Sequence, residues 1–425
     1  MSSPDEVKGL VIVVGVVILL WAFASKRLTS WGATGPLLTV VAGALLTIAS
    51  GADIGAALDT DIAEKVVELI LSLLLFADAT EVHGGFFGGE RRLVSRLLFI
   101  ALPLSLIAAV GTGMVLLGGI PWAVALVIAC AVIPTDFAPA SDLLRMRQLP
   151  RIRHVLNVES GYNDGIVSPV FVFAVAFLTE TEISPDNPLY GLAATLQVSL
   201  SLVEAVWASA VAIGVGLAVG ALGGLLMRAG LRRGWASGQS ARITMLVLPI
   251  LAYLLATFEL DGNGFVAAFV AGIAYKATRL RHSEVRDLDH AEVGLVDDLG
   301  LVASLVVWFV TGAVAVVVFT SGVDLGILVY ALLALTLLRM VPVYLSMLGS
   351  TLTWRERTAV GLLGPRGTAS IVFGLLAYNA LTEDAANLAL VVTIVVVLGS
   401  IVLHGIAGPL LTRRSREAVP APTAP

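Results

Sequence analysis

Residues 130–144 read CAVIPTDFAPASDLL, and residues 362–376 read LLGPRGTASIVFGLL. Each stretch lies in an apolar run long enough to cross a bilayer, and each breaks its own helix. Pro134 and Pro139 bracket Thr135 and Asp136, while Gly364, Pro365 and Gly367 interrupt the second run around Arg366. A proline in a helix interior removes a backbone hydrogen bond and clashes with the preceding turn. At membrane depth, irregular backbone is tolerated only where it is buried or lines a cavity. Two interrupted spans, one in each half of a chain, point to a transport site between inverted repeats. The alternative is a pair of ordinary proline kinks.

The rest of the chain agrees with a lipid solvent. Of its 425 residues 58% are hydrophobic and 13% charged, against about a quarter charged in a soluble protein. The mean hydropathy is +0.95. The 42 glycines fit as well, since Gly is more frequent in membrane helices than in soluble ones. Counting apolar stretches of roughly 20 residues predicts about 13 transmembrane helices, at 7–25, 33–51, 62–79, 94–118, 121–141, 154–179, 202–227, 242–259, 262–277, 294–320, 324–347, 357–381 and 386–412.

Basic residues test this map, because cytoplasmic connections carry the excess of Lys and Arg. With the N-terminus outside and the C-terminus cytoplasmic, Lys8 and Lys65 fall at outside ends and Arg339 and Arg366 inside apolar segments. Every other Lys and Arg falls in an inside connection. The first apolar stretch follows Asp5 and Glu6, not the basic start of a secretory signal, and is expected to be a retained span. Cys130, the single cysteine, excludes an intramolecular disulfide and reads as a buried inert thiol. No phosphate-binding loop, His metal cluster or soluble regulatory domain is expected. The expected partner is the lipid bilayer, with no nucleic acid and no organic cofactor.

The broken spans sit centrally in two three-span units, segments four to six and eleven to thirteen. Each unit has an odd number of spans, and seven segments separate their starts, so the two units enter from opposite sides. Acids at membrane depth are Asp78, Asp136, Glu159, Asp164 and the pair Asp297–Asp298, and an ionisable residue there is a functional candidate. Segment six carries NVESGYNDGIVSPV at 157–170. Glu159 and Asn163 share a helix face, and Asp164 is rotated about 100° from Asn163, free to face the break with Asp136. Burial disfavours the charged carboxylate, so such a group takes up either a proton or a hard cation. That competition is the minimal chemistry of an antiporter. Arg339, in LTLLRMVPV at 335–343, needs an anion if buried, and Glu159 is the expected partner; the alternative is an Arg snorkelling to the surface. Arg366 is suited to neutralise a helix C-terminal end. Asp297 and Asp298 lie close to the expected inside end of segment ten, where a hydrated position stands beside a functional one as a reading. His83, His282, His290 and His404 are expected at or near span ends, and His154 at the start of segment six, in solvated or structural roles, with pH sensing as the alternative.

ESGYNDGI at 159–166, with PTD at 134–136 and GPRGTASI at 364–371, resembles the monovalent cation:proton antiporter-1 family, the sodium/proton exchangers. LLFADATEV at 74–82, NGFVAAFVAGI at 263–273 and SIVLHGIAGPL at 400–410 are further similarities, and the resemblance spans residues 10 to 412. It implies an inverted-repeat antiporter fold with two discontinuous helices crossing at mid-membrane. It implies that Asp164 is the ion- and proton-binding carboxylate, with Asp136, Thr135 and Ser160 as further oxygen ligands of the transported cation. By the same resemblance Asn163 supports the broken helix and marks electroneutral exchange, Glu159 pairs with Arg339, and Asp78 lines a cytoplasmic funnel. Departures are Asp136-Phe137 where the family pattern has Asp-Pro, and Gly-Pro-Arg-Gly where it has Gly-Leu-Arg-Gly.

The implied organisation has scaffold or dimerisation spans at 1–92 and 181–323. The core transport domain takes 93–180 and 324–413, and 414–425 is a disordered cytoplasmic tail. A homodimer in a prokaryotic inner membrane is expected. The expected function is exchange of Na⁺, or Li⁺ or K⁺, for H⁺ by a secondary transporter and not an enzyme. Two alternatives are a potassium-efflux or channel-like relative, usually joined to a soluble nucleotide-binding domain, and an intramembrane aspartyl enzyme using Asp136 and Asp164.

Overall fold

The computed structural model describes residues 4–30, 34–50, 61–82, 87, 89–136, 150–180, 190–281 and 287–416. Every expected span holds helix among the described residues, whole or in part. In chain order they are α1 (Pro4–Ser30), α2 (Gly35–Ser50), α3 (Asp61–Glu81), α4 (Arg91–Leu116), α5 (Trp122–Val132), α6 (Pro150–Glu180) and α7 (Tyr190–Arg232). They continue with α8 (Gly238–Glu259), α9 (Gly264–Arg279), α10 (His290–Ser321), α11 (Leu325–Ser346), the two halves α12a (Trp354–Leu362) and α12b (Thr368–Ala380), and α13 (Glu383–Arg416). The described residues contain no strand. Seven of the helices, α4, α6, α7, α8, α10, α11 and α13, are long and apolar enough to cross a bilayer.

The short ones are short for a reason. The 11 residues of α5 rise about 16 Å, roughly half of a ~30 Å hydrocarbon core. The helix stops at Val132, one turn into which Pro134 would have placed its ring. Likewise α12a ends at Leu362, and α12b starts only at Thr368, after Gly364, Pro365 and Gly367. The second half of the 121–141 span, with Phe137 and Pro139, lies outside the described residues. So do Asp53, Asp59, His83, Arg145, Arg147, Glu182, His282, Arg286 and the tail from 417. Helix α13 runs on to Arg416, past the expected boundary at 413. Within α11, Thr336 leaves helical geometry (φ −126°, ψ −92°) and kinks the span.

Helices α4–α6 and α11–α13 pack into one bundle, with α5 and α12b against each other at its centre and α13 against both. Helices α7, α8, α9 and α10 form a second group, joined to α2 and α3. The groups meet where α3, α9 and α10 lie against α6 and α12b. In lipid, helices associate by close packing of small residues, and two seams show it. A Cβ at Gly216, Gly220 or Gly224 of α7 would strike the backbone of α9 at Ala267, Ala271 or Tyr275. Between α2 and α10, Gly43 faces the carbonyl of Phe309, and Gly312 that of Val40. The large apolar side chains left outside, such as Phe23, Trp207 and Leu226, are those a lipid-facing surface requires.

Candidate functional site

The two breaks cross. The backbone N–H of Asp136 donates to the carbonyl of Pro365 at 2.8 Å. In return the N–H of Thr368 donates to the Asp136 carboxylate at 3.2 Å. Thr368 is the first residue of α12b, so the carboxylate sits at a positive helix end. A Cβ on Gly367 would overlap that carboxylate.

Arg366 is 1% exposed, and all three of its guanidinium nitrogens donate to carbonyls. These belong to Val132 at the end of α5, Gly364 in the break, and Ala334 (2.9 Å) at the kink of α11. Carbonyls at helix C-termini lack intrahelical partners and form a negative end, so one cation serves two helix ends and the break.

From α6, Asn163 holds the unwound end of α5: its amide donates to the carbonyl of Thr135 at 2.8 Å and to the Thr135 hydroxyl at 3.0 Å. Next to it Asp164 is 4% exposed and within electrostatic reach of Asp136 and Arg366. Ser160 stands four residues before Asp164, on the same face of α6. Thus Thr135, Asp136, Asn163, Asp164 and Arg366 come together at the crossing. Asp78 stands on α3, half-buried, with Asp136 and Asp164 both close enough for their charges to act on it.

Glu159 and Arg339 meet. Two parallel hydrogen bonds of 2.9 and 2.8 Å join the guanidinium to the carboxylate, with the residues 3% and 6% exposed. The Arg side chain enters the bundle and does not snorkel. It also lies where a Cβ on Gly364 would be, so the ion pair packs directly on the α12 break.

Several residues near the site were not evident as its neighbours. Of the pair read as either hydrated or functional, Asp297 of α10 has one carboxylate oxygen buried and its charge reaches Asp78, whereas Asp298 is exposed. Ser304, two turns further along α10, hydrogen-bonds the Thr368 hydroxyl at 2.5 Å. His404 was expected near a span end, but it is 4% exposed within α13 and faces the α12 break. Lys276, read as part of an inside connection, is turned inward. It donates to the carbonyls of Thr80 (2.8 Å) and Val82 (2.6 Å) at the end of α3. Their only advance signal was an ionisable or hydroxyl side chain in or beside an apolar run.

Comparison with known proteins adds to this geometry. The family model described as "Sodium/hydrogen exchanger, transmembrane" matches residues 11–414. A Na(+)/H(+) antiporter of Schizosaccharomyces pombe is 30% identical over 122 residues, which is 27% of this chain and 26% of that protein. The aligned stretch is thus about a quarter of that relative's length. The structure of the sodium proton antiporter MjNhaP1 from Methanocaldococcus jannaschii at pH 8 matches with a TM-score of 0.77, covering 94% of this chain and 100% of that one at 19% identity. A second MjNhaP1 structure, from an EM map, gives a TM-score of 0.67 at 19% identity over 99% and 100% of the two chains. Likeness at that identity speaks to the fold.

Proposed function

The chain belongs to the sodium/hydrogen exchanger family of transmembrane proteins, and from that premise we propose that it exchanges a monovalent cation, Na⁺ in the first instance, for a proton across its membrane. The observation that carries this is the crossing of two broken helices beside a buried carboxylate: Asp136 bonded to Pro365 and Thr368, with Asp164 next to it. Membership in a family of ion exchangers speaks against the intramembrane-enzyme alternative.

Asp164 and Asp136, with the oxygens of Thr135 and Ser160, take the cation; a proton on Asp164 displaces it. Two carboxylates and two neutral oxygens suit a hard cation, which prefers oxygen donors. Asn163 keeps the Thr135 carbonyl in place without adding an acid. The negative helix ends near the site are neutralised by Arg366, leaving the carboxylates for the transported ions. Glu159 and Arg339 brace the break from behind, and Asp78 on α3 attracts cations toward the site.

Helices α4–α6 and α11–α13, within 93–180 and 324–413, act as the moving core. The spans within 1–92 and 181–323 act as the scaffold and as the dimer interface. The seam of α6 and α12b against α3, α9 and α10 is then the surface of movement. One carboxylate loaded alternately with one cation or one proton makes the exchange electroneutral. The protein resides in a prokaryotic inner membrane with its N-terminus outside.

The test is proton flux in proteoliposomes holding a pH gradient, with Na⁺, Li⁺ and K⁺ added in turn. Wild type should collapse the gradient with at least one cation, and Asp164→Asn with none. A wild type indifferent to all three cations, or a mutant that still exchanges, would overturn the proposal.

A further inference from the structure

We infer that His404 is a positioning residue, a neutral hydrogen-bonding clamp that holds both lips of the α12 break against one turn of α13. Its Nε2 lies 3.1 Å from the carbonyl of Leu362, the last residue of α12a. Its Nδ1 lies 3.1 Å from the hydroxyl of Ser400 and 2.9 Å from the Ser400 carbonyl. The Ser400 hydroxyl accepts, at 2.8 Å, the backbone N–H of Arg366. His404 and Ser400 are both buried, at 4% and 1% exposure.

A carbonyl only accepts, so Nε2 carries the hydrogen; the tautomer follows from the network. In the neutral ring Nδ1 is then an acceptor, and the hydroxyl of Ser400 is placed to supply it. The Ser400 carbonyl beside Nδ1 receives no hydrogen from the ring in this tautomer, since only a doubly protonated ring could donate to both carbonyls. The Arg366 N–H donates to Ser400 Oγ, that hydroxyl donates to His404 Nδ1, and Nε2–H donates to the Leu362 carbonyl. That carbonyl belongs to the last turn of a helix, where intrahelical partners are missing.

The charged groups that face the ring from the packed elements are the guanidiniums of Arg366 on the break and Arg339 on α11, the latter paired with Glu159 of α6. An imidazolium there could donate to the Ser400 carbonyl as well, but it would add a third cation beside two guanidiniums in a buried setting and leave the Ser400 hydroxyl without its acceptor. The neighbouring charges thus favour the neutral form. Because Leu362 precedes the break and Arg366 lies within it, the clamp sets the distance between them. Thr368, two residues on, meets Asp136, so the set distance is passed to the crossing. The transport consequence rests on the antiport reading; the clamp itself does not.

The experiment uses the full chain, as wild type, His404→Gln, His404→Leu and Ser400→Ala. Two readouts are taken: Na⁺-driven proton flux across the pH range, and hydrogen–deuterium exchange of the backbone at 362–368. A Gln amide can donate to Leu362 and accept from Ser400, whereas Leu can do neither. His404→Gln should keep the apparent KM for Na⁺ within about twofold of wild type with the same pH profile. His404→Leu should raise that KM about tenfold, with the maximal rate within about threefold. Exchange at Arg366 should speed up in His404→Leu and in Ser400→Ala, so a poorly folding Leu variant leaves the Ser variant to decide.

Wild-type exchange rates in Ser400→Ala, or a pH profile displaced in His404→Gln, would overturn the clamp, the second by showing that the ring titrates. If wild type moves no protons with any cation, the antiport reading falls, and the exchange rates at Arg366 still decide the clamp.

Discussion

Asp136, in the unwound end of α5, accepts a hydrogen bond from the backbone of Thr368, the first residue of α12b, across 232 positions of sequence. The bond ties the first half of the chain to the second at the point where both helices are broken. A carboxylate there is stabilised by the helix end it faces, and remains close enough to Asp164 for each charge to act on the other.

Gly367→Ala tests how tight that crossing is. The backbone at 367 is extended, with φ −135°, so an alanine can adopt it; what is lacking is space, because its Cβ would overlap the Asp136 carboxylate. Overpacking costs about 1–3 kcal/mol, and here it falls on the site itself. Proton flux driven by Na⁺ should drop at least about tenfold, while size-exclusion behaviour stays that of a folded protein. Unchanged flux would mean that the crossing is looser than described.

Removing one partner of a buried ion pair is expected to cost about 3–5 kcal/mol, because an uncompensated charge is left inside. Glu159→Arg and Arg339→Glu should each lower the melting temperature sharply. The double swap should recover much of the loss. Recovery absent in the double variant would mean that the pair's setting, with Gly364 packed on Arg339, admits only one orientation.

Exchange by a single carboxylate that carries one cation one way and one proton the other moves no net charge. With the membrane potential clamped at different values, the rate of Na⁺-driven proton flux should stay constant. A rate that follows the voltage would require a second charge to move with the core.

Outside the membrane spans, the hydrogen bonds from Arg151 hold the Glu90 carboxyl below its usual range. A depressed carboxyl stabilises the fold above its unfolded value and loses that contribution as pH falls through the folded one. The pair is partly exposed, with side chains 27% and 42% accessible, so solvent screening limits it to about 1 kcal/mol or less. The melting temperature of Glu90→Gln should lie slightly below wild type at neutral pH. The difference should shrink as pH falls below the ordinary carboxyl range and vanish once the folded Glu90 carboxyl is itself protonated. A gap that persists at low pH would assign the effect to packing.

Much of this architecture is written locally. Each span is an apolar run, and the breaks in α5 and α12 are marked by Pro134, Gly364, Pro365 and Gly367 within such runs. A buried Arg needs an acid, which made Glu159 and Arg339 a pair to look for. What one element does to another is less visible. Nothing in SIVLHGIAGPL tells that His404 points at the carbonyl of Leu362, because the partner is a backbone atom of another helix. The kink at Thr336 is silent for a similar reason: Pro342, the evident breaker, lies within the helix that follows it. Asp297 and Asp298 look alike in sequence, and only the packing of α10 decides that one turns inward and the other out.

The three carbonyls gathered by Arg366 belong to Val132, Ala334 and Gly364, two of them some two hundred positions apart. Contacts so distant in sequence form late, after the entropy of closing long loops has been overcome. Until residue 366 has been synthesised, the last carbonyls of α5 and of the first half of α11 lack this donor, and Asp136 has no crossing to sit in. The proposed ion site is therefore completed only after nearly all of its chain has been made.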